Sequence, residues 1–229
     1  MDPETTPDAA KARVLEAALM HVPFDGWSET TLRAAIADSG VAPGLGHALF
    51  PRGGIDLAVA YHKAGDALML DRLAAMDLTA LRYRDRVATA IRTRLELVED
   101  RELVRRGTTL FALPQHAGEG AKLIWGTADA IWTALGDTSR DLNWYSKRAT
   151  LSAVYGSVVL YWLGDDSLDH QDAWDFLDRR IGDVMQIEKL KATFRDNPLG
   201  KALLAGPGKL MDKWRAPTAP DDLPGNTRF

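Results

Sequence analysis

Five histidines, His21, His47, His62, His116 and His170, are the side chains best suited to proton transfer or metal binding in this sequence. None has Asp or Glu three positions before it, so the paired Glu-x-x-His motifs of a di-iron bundle are missing. No H-E-x-x-H occurs, and the absence of cysteine removes thiolate zinc ligands, thiol nucleophiles and disulfides together. "AGPGKLM" (205–211) has Gly-Lys without the earlier Gly or following Ser/Thr of a phosphate-binding loop. "DDSLDHQD" (165–172) shares only acidity with a calcium loop, because His170 stands where the tight turn needs glycine. "GLGHAL" (44–49) is a broken dinucleotide fingerprint. The expectation is a protein that is not an enzyme and carries no metal or cofactor.

Binding chemistry is better represented. Trp144 and Tyr145 sit among Asp141, Lys147 and Arg148 in "GDTSRDLNWYSKR", where a surface helix end would ordinarily carry charge alone. Exposed aromatics beside arginine are what interface hot spots are made of, so this stretch is a candidate docking face. Trp125, Trp132, Tyr155, Trp162 and Trp174 fall on the apolar faces of three successive helical segments. Any one of them could be ordinary core; together they could line a cavity of ~300–1,000 Å³, the usual size of a ligand pocket. Past Asn197, Leu203, Leu204, Leu210 and Trp214 alternate with Lys209 and Lys213 around a Gly-Pro-Gly break. A cationic amphipathic piece with tryptophan suits a membrane surface.

Helices must position these residues, because nearly every segment repeats at helical period and none alternates like a strand. Expected helices cover Asp8–His21, Ser28 or Thr30–Asp38, Pro43–Leu49, Ile55–Met76, Thr79–Asp100, Arg101–Ala112 and Pro114–Leu135. An eighth opens behind Asp137, Thr138 or Ser139 as cap and becomes apolar nearly all round beyond Ala149. A ninth follows "GDDSLDHQ", with Trp174, Leu177, Ile181, Val184 and Met185 inward. The fold class is all-α: about nine helices and a C-terminal amphipathic segment. The division is a flexible N-terminus (1–7), a helix-turn-helix head (8–53), a helical core (54–192), a membrane-facing segment (196–215) and a disordered tail (216–229).

The 229 residues suffice for a sizeable core, and the net charge of −4 is unevenly spread. Residues 186–215 carry +4, leaving −8 elsewhere. The acidic N-terminus "MDPETTPDAAKARV" reads as neither signal nor transit peptide, and no apolar run reaches the ~18 residues of a spanning helix.

"ARVLEAALMHVPFDGWSETTLRAAIADSGVAPGLGHALFPRGGIDLAVAYHKAG" resembles a TetR-type DNA-binding head: a first helix, F-D-G-x-x-x-x-T-L, a turn "SGVAPG", a short recognition helix and "LFP". It departs from that pattern in charge. From Asp25 to Arg52, Arg33 and Arg52 face Asp25, Glu29 and Asp38, a net of −1 where a groove reader needs cations. The expectation is a retained scaffold that binds no nucleic acid.

From 112 to 190 the elements "LPQH", "LIWGTADAIW", "GDTSRDLNWYSKR" and "AWDFLDRRIGDVM" strongly resemble the ninth coenzyme-Q-biosynthesis protein family, TetR-like lipid-binding accessory factors of ubiquinone synthesis. The resemblance implies a homodimer that cradles an isoprenoid quinone or phospholipid and assists the di-iron demethoxyubiquinone hydroxylase. It implies that the motif containing Asp141, Trp144, Tyr145 and Arg148 docks that enzyme. It also implies work at a membrane surface; the missing transit peptide suggests a bacterial homologue on the cytoplasmic face of the inner membrane. The alternatives are a TetR-type ligand-responsive repressor, which would need a positive head, and an enzyme acting on the quinone.

Overall fold

The computed structural model describes the backbone of residues 6–140 and 142–196, and side chains as far as Gln186. Among these residues there are ten α-helices, one 3₁₀ turn and no strand. Asp141 and the segment containing Leu203, Leu204, Lys209, Leu210, Lys213 and Trp214 lie outside the described residues.

The head begins with α1 (Pro7–Leu19), where Thr6 accepts a hydrogen bond from the Ala9 N–H and Pro7 fills the first turn. A single turn, α2 (Val22–Asp25), follows, and Gly26 ends it at φ 66°. α3 (Glu29–Ser39) is capped by Ser28 and stops at left-handed Gly40; α4 (Pro43–Leu49) starts on its proline. Val14, Ala18, Val22, Trp27, Leu32, Ile36 and Phe50 pack into one core with Leu57.

Leu57 belongs to α5 (Gly54–Ala74), which leaves the head and enters the body, where Met69 and Leu73 join a second core. Its first residue has to be glycine, because a Cβ on Gly54 would overlap the Trp27 carbonyl. The body adds α6 (Tyr83–Glu96), α7 (Arg101–Ala112), α8 (Ala117–Ala134), α9 (Leu142–Leu163), the 3₁₀ turn Leu168–His170 and α10 (Gln171–Asp196). Ile91, Leu95, Ile131, Leu151, Val158 and Leu177 are its buried centre. α7 ties the halves together. Leu103 is buried in the head core, its carbonyl accepts from the Trp27 indole at 3.0 Å, and Arg106 donates to the Pro23 carbonyl at 2.9 Å.

Several boundaries differ from the sequence expectation, each for a local reason. α2 lies between two expected helices and was not itself expected, because Pro23 sits inside a very short apolar run. α8 opens three residues after Pro114 rather than on it, since Leu113 is extended and a turn from the His116 N–H to the Leu113 carbonyl intervenes. α6 starts later than Thr79, because Asp77 binds both the N–H and hydroxyl of Thr79 and Arg86 holds the carbonyls of Thr79 and Leu81. Asp137 and Ser139 do not cap α9; they are engaged with each other and with Lys147.

Candidate binding site

A cavity of about 450 Å³ lies between α5, α6, α7, α8 and α9. Leu95, Val98, Leu103, Val104, Phe111, Leu123, Ile124 and Val159 make most of its wall, and Trp27 reaches it from the head. Small residues on the helices leave the room. Gly107 lies opposite the Trp27 ring, and Gly156 of α9 faces Ile124.

One side of this cavity is polar. Tyr61 and His62 come from α5, Arg94 from α6 and Tyr155 from α9. Arg94 is only 4% exposed, and it donates to Asp66 at 2.8 Å and to the His62 carbonyl at 3.1 Å. His62 Nε2 lies 2.8 Å from the Thr127 hydroxyl, which in turn donates to Asp66 at 2.9 Å. Burial pushes the His62 pKa below its ordinary value; Asp66 opposes this and Arg94 adds to it. Burial likewise raises the phenols of Tyr61 and Tyr155, so both stay protonated at neutral pH. The four-residue spacing of His62 and Asp66 on α5 was visible in the sequence; their partners come from elements up to 65 residues away.

A second hollow of about 510 Å³ opens between α6, α9 and α10, lined by Tyr83, Val87, Trp132, Leu151, Val154 and Met185. The five expected lipid contacts therefore divide. Tyr155 lines the first cavity and Trp132 the second, while Trp125, Trp162 and Trp174 line neither. Trp162 and Trp174 are buried against the 3₁₀ turn, whose Asp169 carbonyl accepts from the Trp174 indole and whose His170 ring lies edge-on to both. The acidic loop there is structural: the two oxygens of Asp165 accept from the N–H groups of Ser167 and Ala173. Among the described residues no cluster of His, Asp or Glu is arranged to hold a metal.

Trp144 and Tyr145 are half-buried and form an edge-to-face pair at 4.7 Å, with Trp125 6.0 Å from Trp144. Arg148 departs from the expected exposed face. It is 2% exposed, lies 4.0 Å beneath the Trp144 ring, and donates to Asp129 at 2.5 Å and Asp137 at 3.1 Å. The reason is the four-residue spacing, which stacks guanidinium on indole, plus two carboxylates that draw the cation inward. Asp137 also accepts from Lys147 and Ser139. Its burial opposes ionisation, but the hydrogen bonds from Lys147, Ser139 and Arg148 outweigh that and hold its pKa at about 2.

The face of α4 shows solvent Pro43, Gly44, Leu45, His47 and Ala48, and the nearest charge to His47 is Glu29 at 3.9 Å. The helix order of head and body is that of TetR-type regulators. The solved TetR transcriptional regulator from Nitrosomonas europaea superposes with a TM-score of 0.62, covering 75% of this chain and 95% of that one at 17% identity. The class is thus a TetR fold with a hollow body and an α4 that carries no Lys, Arg, Asp or Glu.

The COQ9 family model matches residues 117–188, from the start of α8 into α10. The mitochondrial ubiquinone biosynthesis protein COQ9 of Drosophila melanogaster is 30% identical over 188 residues, covering 80% of this chain and 57% of that protein. The Rattus norvegicus protein of the same name is 31% identical over 209 residues, covering 85% and 64%. The Homo sapiens protein is 30% identical, covering 85% and 63%. The chain is thus similar to the COQ9 family across most of its own length, and it spans about three fifths of the length of these relatives.

Proposed function

We propose that this chain is a non-enzymatic accessory protein of ubiquinone biosynthesis, holding a polyprenyl quinone intermediate in its body and offering it to the di-iron demethoxyubiquinone hydroxylase. The observation that carries the reading is the first cavity: an apolar hollow of about 450 Å³, large enough for a ring and part of an isoprenoid chain. Each methylene taken from water is worth roughly 0.8 kcal/mol, so such a wall lowers the cost of drawing a lipid partly out of a bilayer. The names of the relatives supply the pathway. The head supports the same reading, since a face of Gly, Ala, Leu and Pro with His47 as its one polar side chain offers few base or phosphate contacts.

The half-buried Trp144–Tyr145 pair is the proposed hydroxylase contact, and Arg148 positions it from below. No described helix is long and apolar enough to cross a membrane, and the cationic segment after Asp196 is the proposed surface contact. A homodimer completes the proposal, by analogy with the family.

Native mass spectrometry of the purified chain tests the central step. A co-purified isoprenoid lipid is expected, and its loss is expected in Gly156→Leu, which fills the hollow from α9. Full occupancy in Gly156→Leu, or no lipid in any preparation from ubiquinone-producing cells, would remove the reading. For docking, Trp144→Lys with unchanged circular dichroism is expected to fail in a hydroxylase pull-down; retained capture would move the contact elsewhere.

A further inference from the structure

The second hollow, between α6, α9 and α10, takes no part in the function proposed above, yet it has the make-up of a ligand site. Its floor is apolar: Val87 comes from α6, Leu151 and Val154 from α9, and Ile181, Val184 and Met185 from α10. Tyr83 stacks on Trp132 at 5.6 Å and closes one side with aromatic surface. At about 510 Å³ the hollow falls within the ~300–1,000 Å³ of small-molecule pockets. Apolar surface left in water at this scale is relieved when an apolar tail covers it.

The charge at the mouth has one sign. Arg84 and Lys147 line the hollow, and among the described residues no Asp or Glu does. Lys147 is already committed. It pairs with Asp137 at 2.7 Å, Asp137 also pairs with Arg148, and Arg148 with Asp129, so two cations meet two carboxylates. Arg84 is placed differently. Its neighbour Asp85 lies 3.4 Å away but is held at 2.8 Å by Arg82, so two guanidinium groups share one negative charge. Arg86 donates to the carbonyls of Thr79 and Leu81, which carry no charge to offset its own. The start of α6 therefore holds positive charge in excess. The helix adds to it, because this is its N-terminal end and no described side chain caps it.

We propose that the second hollow binds a single-tailed amphiphile with a carboxylate head, a fatty acid in chemical class. The tail lies on the apolar floor and the carboxylate pairs with Arg84 at the mouth. A guanidinium matches a carboxylate through two parallel hydrogen bonds, which fixes the head as well as attracting it. Arg84 offers one positive charge, so a phosphate monoester, with nearly two negative charges at neutral pH, is matched less well. The site is separate from the first cavity and stands whether or not that cavity holds a quinone.

The test uses the full chain and three probes with the same tail: dodecanoate, dodecyl phosphate and dodecyltrimethylammonium. Each is titrated calorimetrically below the concentration at which it forms micelles. Dodecanoate should bind most tightly, although the chain's net charge of −4 favours the cation, and added salt should weaken it. Arg84→Gln should weaken dodecanoate about three- to tenfold and leave dodecyltrimethylammonium unchanged. Met185→Trp, at a position 40% exposed, should narrow the hollow and weaken dodecanoate, with circular dichroism unchanged in both variants. Gly156→Leu, which fills the first cavity instead, should leave dodecanoate binding as it was. Loss of binding in Gly156→Leu but not in Met185→Trp would put the acid in the first cavity and overturn the proposal. Tighter binding of the phosphate or the cation, or undiminished binding in Arg84→Gln, would overturn it too. So would an affinity that falls as protein concentration rises, the mark of a second copy seated in the hollow. No dodecanoate binding at all, the result expected if the chain's own residues after Asp196 covered the hollow, would also overturn it.

Discussion

At the scale of single residues, the buried charges decide what the site can be. Arg148 and Asp137 form an ion pair in which both side chains are almost fully buried, and breaking such a pair typically costs about 3–5 kcal/mol. Asp137→Asn is therefore expected to lower the urea midpoint markedly, and Arg148→Leu to loosen the Trp144 ring, seen as a red-shifted and weaker protected fluorescence. The pH dependence has a definite sign. A carboxyl held at about 2, against an ordinary 3.8, contributes stability above pH 4 that is lost as the pH falls towards 2. Urea titrations across that window should show the loss in the unaltered chain and a smaller one in Asp137→Asn. Gly65 gives a second residue-scale expectation. Alanine is the better helix former, yet Gly65→Ala should destabilise, because its Cβ would meet the Arg94 guanidinium. Gly126→Ala, in the middle of α8 with nothing within 4 Å of the added carbon, should stabilise by about 0.5–1 kcal/mol in the same denaturation assay.

At the scale of elements, local signals were readable in the sequence and cross-element contacts were not. Ser28, Pro43, Gly40 and the apolar spacing of α9 announce their helices from a few neighbouring residues. Arg148 illustrates the other case. Its four-residue spacing from Trp144 puts the two on one helix face, but its burial depends on Asp129 of α8 and Asp137 of the following loop, which only the packing of α8 on α9 brings together. The polar wall of the cavity was missed for the same reason: His62 and Asp66 are a visible pair, while Arg94, Thr127 and Tyr155 arrive from three other helices. Of the aromatics proposed for lipid contact, Trp162 and Trp174 anchor the loop before α10, because a stripe of large rings looks alike whether it faces a void or a packed turn. An element-scale expectation follows for Trp174→Phe. Without an indole to bind the Asp169 carbonyl, the left-handed turn at Asp169 and His170 should exchange amide hydrogens faster, while α5 to α8 keep their protection.

At the scale of the whole molecule, head and body act as one unit, because α5 runs through both cores and α7 buries Leu103 in the head. Occupancy of the cavity should therefore stabilise the entire chain in one transition. Ligand at a hundred times its dissociation constant adds about 2.7 kcal/mol, which differential scanning fluorimetry should record as a single upward shift with no separate melting of residues before Gly53. Two transitions, with only the later one moved, would show that the head is independent.

Trp27 belongs to the head, yet its ring is part of the cavity wall and the support on which Tyr61 rests. A chain trimmed back to the start of α5 would lose that tryptophan together with the Leu57 packing beneath it, and water would reach the hollow from below. The head is masonry as well as surface: its bulk closes a cavity that belongs to the body.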